Sequence, residues 1–558
     1  MRLIQGRRVV GIFASLALVL GACTTQSGPS TQTTQPGGSA QPTGPKAAPV
    51  ERLVITLSKP SFDEITPWSY GHRDLVHVAT AMETLIGLDV NGKYVPQLAT
   101  KWTMSPDGKA WTVDLRQGVK FHRDYGEFTA KDVVQSWELM RAKEAKSSYR
   151  SVWVDVVTKI DVVNDYQVIL RAAVPSPDLP FFLSGSGDLL IMSKAQFDAE
   201  GVKGMGQRLV GTGPYQMVEA KLGEYDLFER VPYKHWRVAE PVYKQIQLRY
   251  VREEATRLAM LLSGEASMAE LPQDLLSTAE QRGKKIAIGE LGASPSWLQI
   301  GGLWYGTGDK EYSPSKPWTA PGETGRLVRQ AMNKAIDRDA LNKAIFRGTG
   351  ELLRVLPFRE TSLGWNPDWD KRWKDMYGYD PGQAKALLAK AGYPNGFSVK
   401  MWGTHQLSGF SELPQLAEAI GVQLGKVGIK AEITNADFSV VREAYRTKRT
   451  TDFIFPISSD ERPVQENLRG FFSPEGNLKG YHSDKFVSTY KTVTQTLDET
   501  ERGRLLKTIG DEFYEQFVNI PLFWLRLQLA YDPKIIGQYK FPGNGGSMYS
   551  HLETITAP

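Results

Sequence analysis

The side chains able to do chemistry in this chain are few. It has 558 residues with one cysteine, Cys23, and seven histidines. A single thiol rules out an internal disulfide framework, a Cys-x-x-Cys redox pair and a multi-cysteine metal site. The histidines show neither His-x-x-x-His spacing nor a glutamate-flanked pair, so no zinc site is expected. There is no Gly-x-x-x-x-Gly-Lys-Ser/Thr loop to hold a nucleotide and no Gly-x-Ser-x-Gly nucleophile elbow. Gly211-Thr212-Gly213-Pro214 lacks the third glycine and following lysine of a phosphate loop. It reads as a tight turn before a strand, its glycines supplying a positive φ. The neighbouring carboxylates Asp498–Glu499 and Asp511–Glu512 lie on helical stretches and point apart, which does not make an acid/base pair.

What remains is the chemistry of recognition. Ser458-Ser459-Asp460-Glu461-Arg462 follows the apolar run Phe453 to Ile457. There Asp460 can hold a cation and Arg462 a carboxylate through charge-assisted hydrogen bonds. The same five residues can equally be a solvated turn with a local ion pair. Three aromatic groups stand just after strand-like runs: Trp68, Tyr70 and His72; Trp304 and Tyr305; Trp402 and His405. The last pair sits at the carboxyl end of a strand, where parallel sheets form ligand crevices. Aromatic faces offer flat apolar area with few rotors. Each group serves as well for plain packing as for a cleft.

Cys23 has a different setting. Arg2, Arg7 and Arg8 precede a short apolar run, Val9 to Leu20, too short to span a bilayer and fitting the core of an export signal. Leu20-Gly21-Ala22 then places small residues before Cys23, a pattern that resembles the bacterial lipobox, in which the cysteine is lipidated and becomes the new N-terminus. Thr24 to Val50 is rich in Thr, Ser, Gln, Gly and Pro and carries one charge, Lys46. Such a stretch cannot bury enough apolar area to offset its ordering entropy and reads as a tether. Fully extended, its 27 residues reach about 90 Å. No later run approaches the length of a membrane span.

The elements that position the candidates belong to an ordinary globular chain. Hydrophobic residues are 41% and charged residues 23%, which excludes a wholly disordered or collagen-like polymer. The net charge of +5 is small for this length, and three arginines belong to the leader, so nucleic acid is not an expected partner. Leu53 to Leu57 reads as a strand, Leu75 to Ile86 as a helix, and Trp111 to Leu115 as a half-buried strand. Thr129 and Asp132 have the spacing of a helix N-cap and its N3 acid. Asn164-Asp165 predicts the turn of a hairpin within Val156 to Leu170. Val328 to Phe346 reads as one long helix. Asp380-Pro381 opens another that stops at Gly392. The order strand Phe397–Trp402, helix Leu413–Leu424, strand Ile429–Ile433 predicts a parallel sheet covered by helices.

Several blocks together resemble the family 5 solute-binding proteins of ABC importers, the oligopeptide-, dipeptide- and nickel-binding type. They include Glu83-Thr84-Leu85-Ile86-Gly87-Leu88-Asp89 and Tyr94-Val95-Pro96-Gln97-Leu98-Ala99. Ser105 to His122, Phe128 to Val134, Gly211 to Tyr215 and Ser263-Gly264-Glu265 follow in order. Val328 to Arg338, Ala384 to Pro394 and Ile520-Pro521-Leu522 complete the set over roughly residues 51 to 530. Two stretches depart from the family pattern. Arg123 to Glu127 replaces its usual turn, and Phe453 to Arg462 lacks the tryptophan that peptide binders often carry there.

The resemblance implies an α/β, bilobed, periplasmic-binding-protein-like fold of the Venus flytrap kind, large type, with an extra subdomain in lobe one. It implies lobe one at 51–293, lobe two at 294–523 and a return to lobe one at 524–558, after the signal peptide at 1–22 and the lipidated Cys23 and tether at 23–50 read from the residues themselves. A solute held between lobes loses most of its water contact, and closure follows from tighter binding to the closed state. The implied function is capture of a peptide or peptide-like solute for a membrane permease, by a monomer outside the cytoplasm, without cofactor, metal or catalysis. Under it Asp460 takes the place where peptide binders hold a ligand's ammonium group. An oligosaccharide or metal chelate is the alternative cargo. A lipid-anchored hydrolase and a sensor or chaperone on the same fold are the alternative functions.

Overall fold

The computed structural model describes residues 51–58, 65–69, 76–147, 149–405, 411–474, 476, 478–543 and 550–558. The export signal, Cys23 and the tether therefore lie outside the described residues, as do Tyr70 and His72; of His405 only the backbone is described. Pro49–Pro558 forms one compact unit.

An eleven-stranded sheet runs through this unit. Its centre is a pair of long antiparallel strands, Lys285–Ile300 and Asn519–Tyr531. On one side Phe453–Ser458, Phe397–His405 and Ile429–Asp437 extend the sheet, the last three parallel to one another as the strand–helix–strand order predicts. On the other side come Met268–Ala269, Arg52–Leu57, Gln245–Tyr250, Tyr225–Arg230 and Tyr215–Lys221. The short strand Glu351–Leu352 pairs with Asn519–Tyr531. Asn519–Tyr531 is buried nearly throughout and Lys285–Ile300 from Gly292 onward, so these stretches read as apolar runs rather than as alternation. Full burial of each large apolar side chain, such as Trp297, Ile300 and Leu522, stabilises the fold by about 1.5–3 kcal/mol.

A second sheet of four antiparallel strands orders Ala99–Met104, Ala110–Leu115, Gln167–Ala172 and Val157–Asn164. Trp111, Val113 and Leu115 are buried while their neighbours are half-exposed, the expected alternation. The hairpin turns at Asn164, whose side chain accepts from the Tyr166 N–H at 2.8 Å. Helix Ala130–Arg141 opens with the expected capping box: the Asp132 carboxylate accepts from the Thr129 N–H at 2.8 Å. Asp380 caps Pro381–Lys390 by accepting from the Gln383 N–H at 2.8 Å.

Three local expectations are corrected. Of the described residues in the 75–86 stretch, only Val76–Ala79 are helical, and Ile86–Leu88 is instead a strand paired with Tyr94–Pro96. The Ile86 N–H donates to the Leu183 carbonyl, a distant partner that overrides the local 3.6 period. The single helix expected over 328–346 is two, Gly322–Lys334 and Arg338–Ile345. Asp337 breaks them by capping the second, accepting from the Ala340 N–H at 2.9 Å. The glycines of Gly211–Pro214 do not have positive φ. They are required by close approach: a Cβ at Gly211 would lie 2.1 Å from the Ala81 carbonyl oxygen, and one at Gly213 would lie 2.9 Å from it.

Candidate functional site

A cavity of about 820 Å³ is lined by residues from Leu88 to Gly543. The hairpin Ile86–Leu88/Tyr94–Pro96 contributes Leu88, Asn91 and Tyr94, and the region 178–186 contributes Asp178, Phe181 and Ser186. The facing wall comes from Glu351, Arg354, Phe358, Arg359 and Trp365, from the turn Glu461 to Gln465, and from Glu499 and Arg502 on helix Glu499–Gln516. Leu291 and Trp524, one from each central strand, also line it. The wall thus combines aromatic faces with charges of both signs.

The electrostatics separate these charges into paired and available ones. Arg359 Nε donates to Glu461 Oε1 at 3.0 Å, and Glu351 Oε1 accepts from Arg526 Nη2 at 2.6 Å. Arg354 is paired with Asp370. Asp178 is pushed up to about 6 by burial, against the pull of Arg502. Burial likewise raises the Glu461 carboxyl, with Arg359 opposing. Arg502 makes no ion pair among the described residues.

Arg462 is the most distinctive of them. Its guanidinium lies over the Tyr149 ring at 4.9 Å, with Phe471 at 5.8 Å. The nearest carboxylate is Asp460, whose Oδ2 is 3.8 Å from Nη2, longer than a hydrogen bond. Its Nε is buried and has no hydrogen-bond partner among the described residues. Burial works against the charge, but Tyr149, Asp460, Glu466 and Asp188 outweigh it and hold the guanidinium firmly protonated. Tyr149 is fixed edge-on against Phe181 and Phe182, at 5.8 and 5.2 Å. A half-buried, charged and under-satisfied fork on a cavity wall can take up a carboxylate with two parallel hydrogen bonds.

Of the nine residues singled out from sequence, Arg462 lines this cavity. Asp460 is buried directly behind it. Trp68 is buried in the core, where its carbonyl accepts from the Lys146 N–H. Trp304 is fully buried and its indole N–H donates to the Lys479 carbonyl at 2.7 Å. Tyr305 packs on Tyr312 and Tyr481, and its hydroxyl accepts from Arg329 at 2.9 Å. Trp402 stacks on Phe453, with centroids 3.7 Å apart and rings 13° from parallel. These four are held by their neighbours. Tyr70, His72 and the His405 side chain lie outside what is described. Sequence reasoning missed Arg359, Glu461, Trp365 and Trp524. Glu461 lay between two residues already chosen, and Trp524 on a recognised strand, but Arg359 sits in a loop with no local pattern.

A family profile described as bacterial extracellular solute-binding proteins, family 5, middle, matches residues 93–478. The chain belongs to that family: it is a solute-binding protein of the ABC-importer class. The glutathione-binding protein GsiB of Escherichia coli K12 is 28% identical over 515 residues, covering 88% of this chain and 93% of that one. GsiB of Salmonella typhi is 27% identical over 514 residues, with the same shares covered. Among solved structures, the periplasmic binding protein DppA from Helicobacter pylori in complex with the peptide STSA has a TM-score of 0.70 at 22% identity, covering 91% of this chain and 98% of that one. NikA from Brucella suis in complex with Fe(III)-EDTA has a TM-score of 0.74 at 21% identity, covering 91% and 100%. The fold is therefore the bilobed periplasmic-binding-protein type expected from the motifs. The comparisons give no support to the hydrolase or sensor readings. Among the described residues, no helix is long and apolar enough to cross a membrane.

Proposed function

We propose that this protein captures a short peptide or peptide-like zwitterion in the 820 Å³ cavity and delivers it, chemically unaltered, to a membrane permease. The observation that carries this reading is Arg462, a half-buried guanidinium on the cavity wall whose Nε is buried and unpartnered among the described residues. It receives the ligand's carboxylate, and Asp460 acts behind it as counter-charge rather than as the ammonium partner expected from sequence. Asp178, on the wall, is the carboxylate available to an ammonium group, and Glu461 becomes so only by giving up Arg359. Aromatic faces at Tyr94, Phe181, Trp365 and Trp524 leave room for apolar or uncharged side chains. Tyr70, His72 and His405 stay as further candidates from the sequence. The volume lies inside the ~300–1,000 Å³ range of small-molecule sites. The binding of glutathione by GsiB and of a peptide by DppA supports the ligand class.

The lobes proposed are 51–293 and 294–523, with 524–558 returning to the first. The pairing of Lys285–Ile300 with Asn519–Tyr531 shifts register on both sides of Gly292, which supports a hinge there. Calorimetry on the purified protein with glutathione, trialanine and their C-terminally amidated forms tests the reading. Micromolar or tighter binding of a free-carboxylate peptide is expected, with the amidated form much weaker. Binding of none of them, or recovery of a hydrolysed peptide, would overturn it.

The sequence around Cys23 supports a lipid anchor on a tether, placing a monomeric globule outside the cytoplasm. Cys23→Ser is expected to move the protein from the membrane to the soluble fraction while leaving peptide affinity unchanged. Fractionation checks it, and a variant that stays with the membrane would remove the anchor.

A further inference from the structure

The two central strands are the only described β-strands longer than nine residues, and they pack tightly at Gly292. A Cβ at Gly292 would lie 2.6 Å from the Trp524 Cβ and 3.1 Å from its carbonyl oxygen. The φ of Gly292 is not positive, so glycine is needed there for proximity, and the ladder is irregular on both sides of it. A bulge beside a glycine is where a strand pair bends. The carbonyls of this crossing are held from outside the pair. The Gly292 carbonyl accepts from Arg359 Nη2, and the Ala293 carbonyl accepts from the Glu461 N–H at 3.1 Å.

Arg359 reaches every part of this arrangement. Its guanidinium covers the Trp524 ring at 4.2 Å. Nε donates to Glu461 Oε1 at 3.0 Å, and Nη1 lies 3.4 Å from Glu351 Oε2. Its own backbone N–H is fixed by the Ser362 hydroxyl at 3.0 Å. Arg359, Glu461, Glu351 and Trp524 all line the cavity. One planar fork therefore joins the cavity wall to the crossing of the strands that both lobes share.

We propose that Arg359 is the positioning residue that sets the angle between the lobes from the cavity wall. Its donors are divided between the hinge carbonyl of Gly292 and the wall carboxylates of Glu461 and Glu351. An anionic group of a solute competes for the same fork, and an ammonium group competes for Glu461. Either changes the hold on Gly292 and with it the freedom of the crossing. This inference rests on the cleft reading above, but its test needs no ligand, so failure to find a solute and failure of the hinge role remain separate results.

The test measures lobe-to-lobe distance in the ligand-free protein. With Cys23→Ser removing the only native thiol, spin labels go on cysteines placed at Val202 and Val440, both about half exposed. Pulsed electron resonance then gives the distance distribution. Arg359→Ala is expected to broaden it at least twofold. Arg359→Lys, which keeps the cation but cannot hold Gly292, Glu461 and the Trp524 face together, is expected to broaden it similarly. Arg354→Ala, which removes another cavity cation, one paired with Asp370 within its own lobe, is expected to leave it unchanged. Unchanged distributions in both Arg359 variants would overturn the proposal. So would equal broadening by Arg354→Ala, which would assign the effect to cavity charge in general. If Arg359→Ala does not fold, Arg359→Lys alone decides.

Discussion

Arg462→Ala is expected to weaken binding of a free-carboxylate peptide by at least about 30-fold, and by more if closure depends on the same residue. Removing one partner of a buried charged contact costs about 2–5 kcal/mol, and each 1.4 kcal/mol is a factor of ten. Two losses add here. The ligand carboxylate loses its fork, and the facing Tyr149 ring loses the cation lying over it at 4.9 Å. Arg462→Lys separates the terms. Lysine keeps the charge near Asp460 but cannot supply two parallel donors, so it is expected to recover only part of the affinity. Calorimetry with trialanine and its amidated form measures both variants. The amidated peptide should lose little on substitution, because it never used the fork. Equal affinity of Arg462→Ala and the parent protein for trialanine would remove Arg462 from the site.

Arg338→Ala is expected to lower the stability of the fold by about 3 kcal/mol or more, without any role in the cavity. Arg338 is buried at the break between helices Gly322–Lys334 and Arg338–Ile345. Its guanidinium donates to the carbonyls of Pro521 at 2.7 Å, Asn333 at 3.2 Å, Tyr377 at 3.2 Å and Ile336 at 3.4 Å, and to Asn333 Oδ1 at 2.9 Å. It also lies 5.2 Å from the Trp373 ring centroid. Alanine would leave these acceptors buried without donors, at about 1–3 kcal/mol each where no water can reach, and would open a void besides. Burial lowers the Arg338 guanidinium to about 9. That is still well above neutrality, so the side chain is charged in both folded and unfolded protein from pH 5 to 8. A depressed base changes stability with pH only above its folded value, so the deficit of the variant should be constant across that range. Urea unfolding at pH 5.5 and 8 checks both the size and the flatness. A loss below 1 kcal/mol would mean that water or neighbouring donors replace the guanidinium.

The contrast between these two arginines shows what can be read along a chain. The Thr129–Asp132 box, the Asp380–Pro381 opening, the Asn164 hairpin and the alternation of Trp111, Val113 and Leu115 are local devices. Each is complete within a few residues, and the structure contains each one. The ordered family blocks placed the whole chain in its class, because their spacing reflects one topology. Where the reading failed, a distant partner decided. Leu183 drew Ile86 into a strand. Ala81 determined why Gly211 is glycine, through an approach of 2.1 Å that no local pattern encodes.

The candidate site divides in the same way. Arg462 was visible as a charge following an apolar strand, because strand ends and charge recur in sequence. Whether an aromatic faced a cleft or a core was not visible: Trp402 is spent on Phe453 and Trp304 on Lys479, whereas Trp524 and Trp365 line the cavity. The amino-acid order by itself determined the class of protein and a set of its strands and helices, since these follow from ordered motifs, short-range periodicity, capping and composition. Tertiary structure alone decided which side chains share the cavity and what holds Gly292. Those contacts join residues 67 to 102 positions apart around Arg359, and only the folded chain brings them within hydrogen-bonding distance.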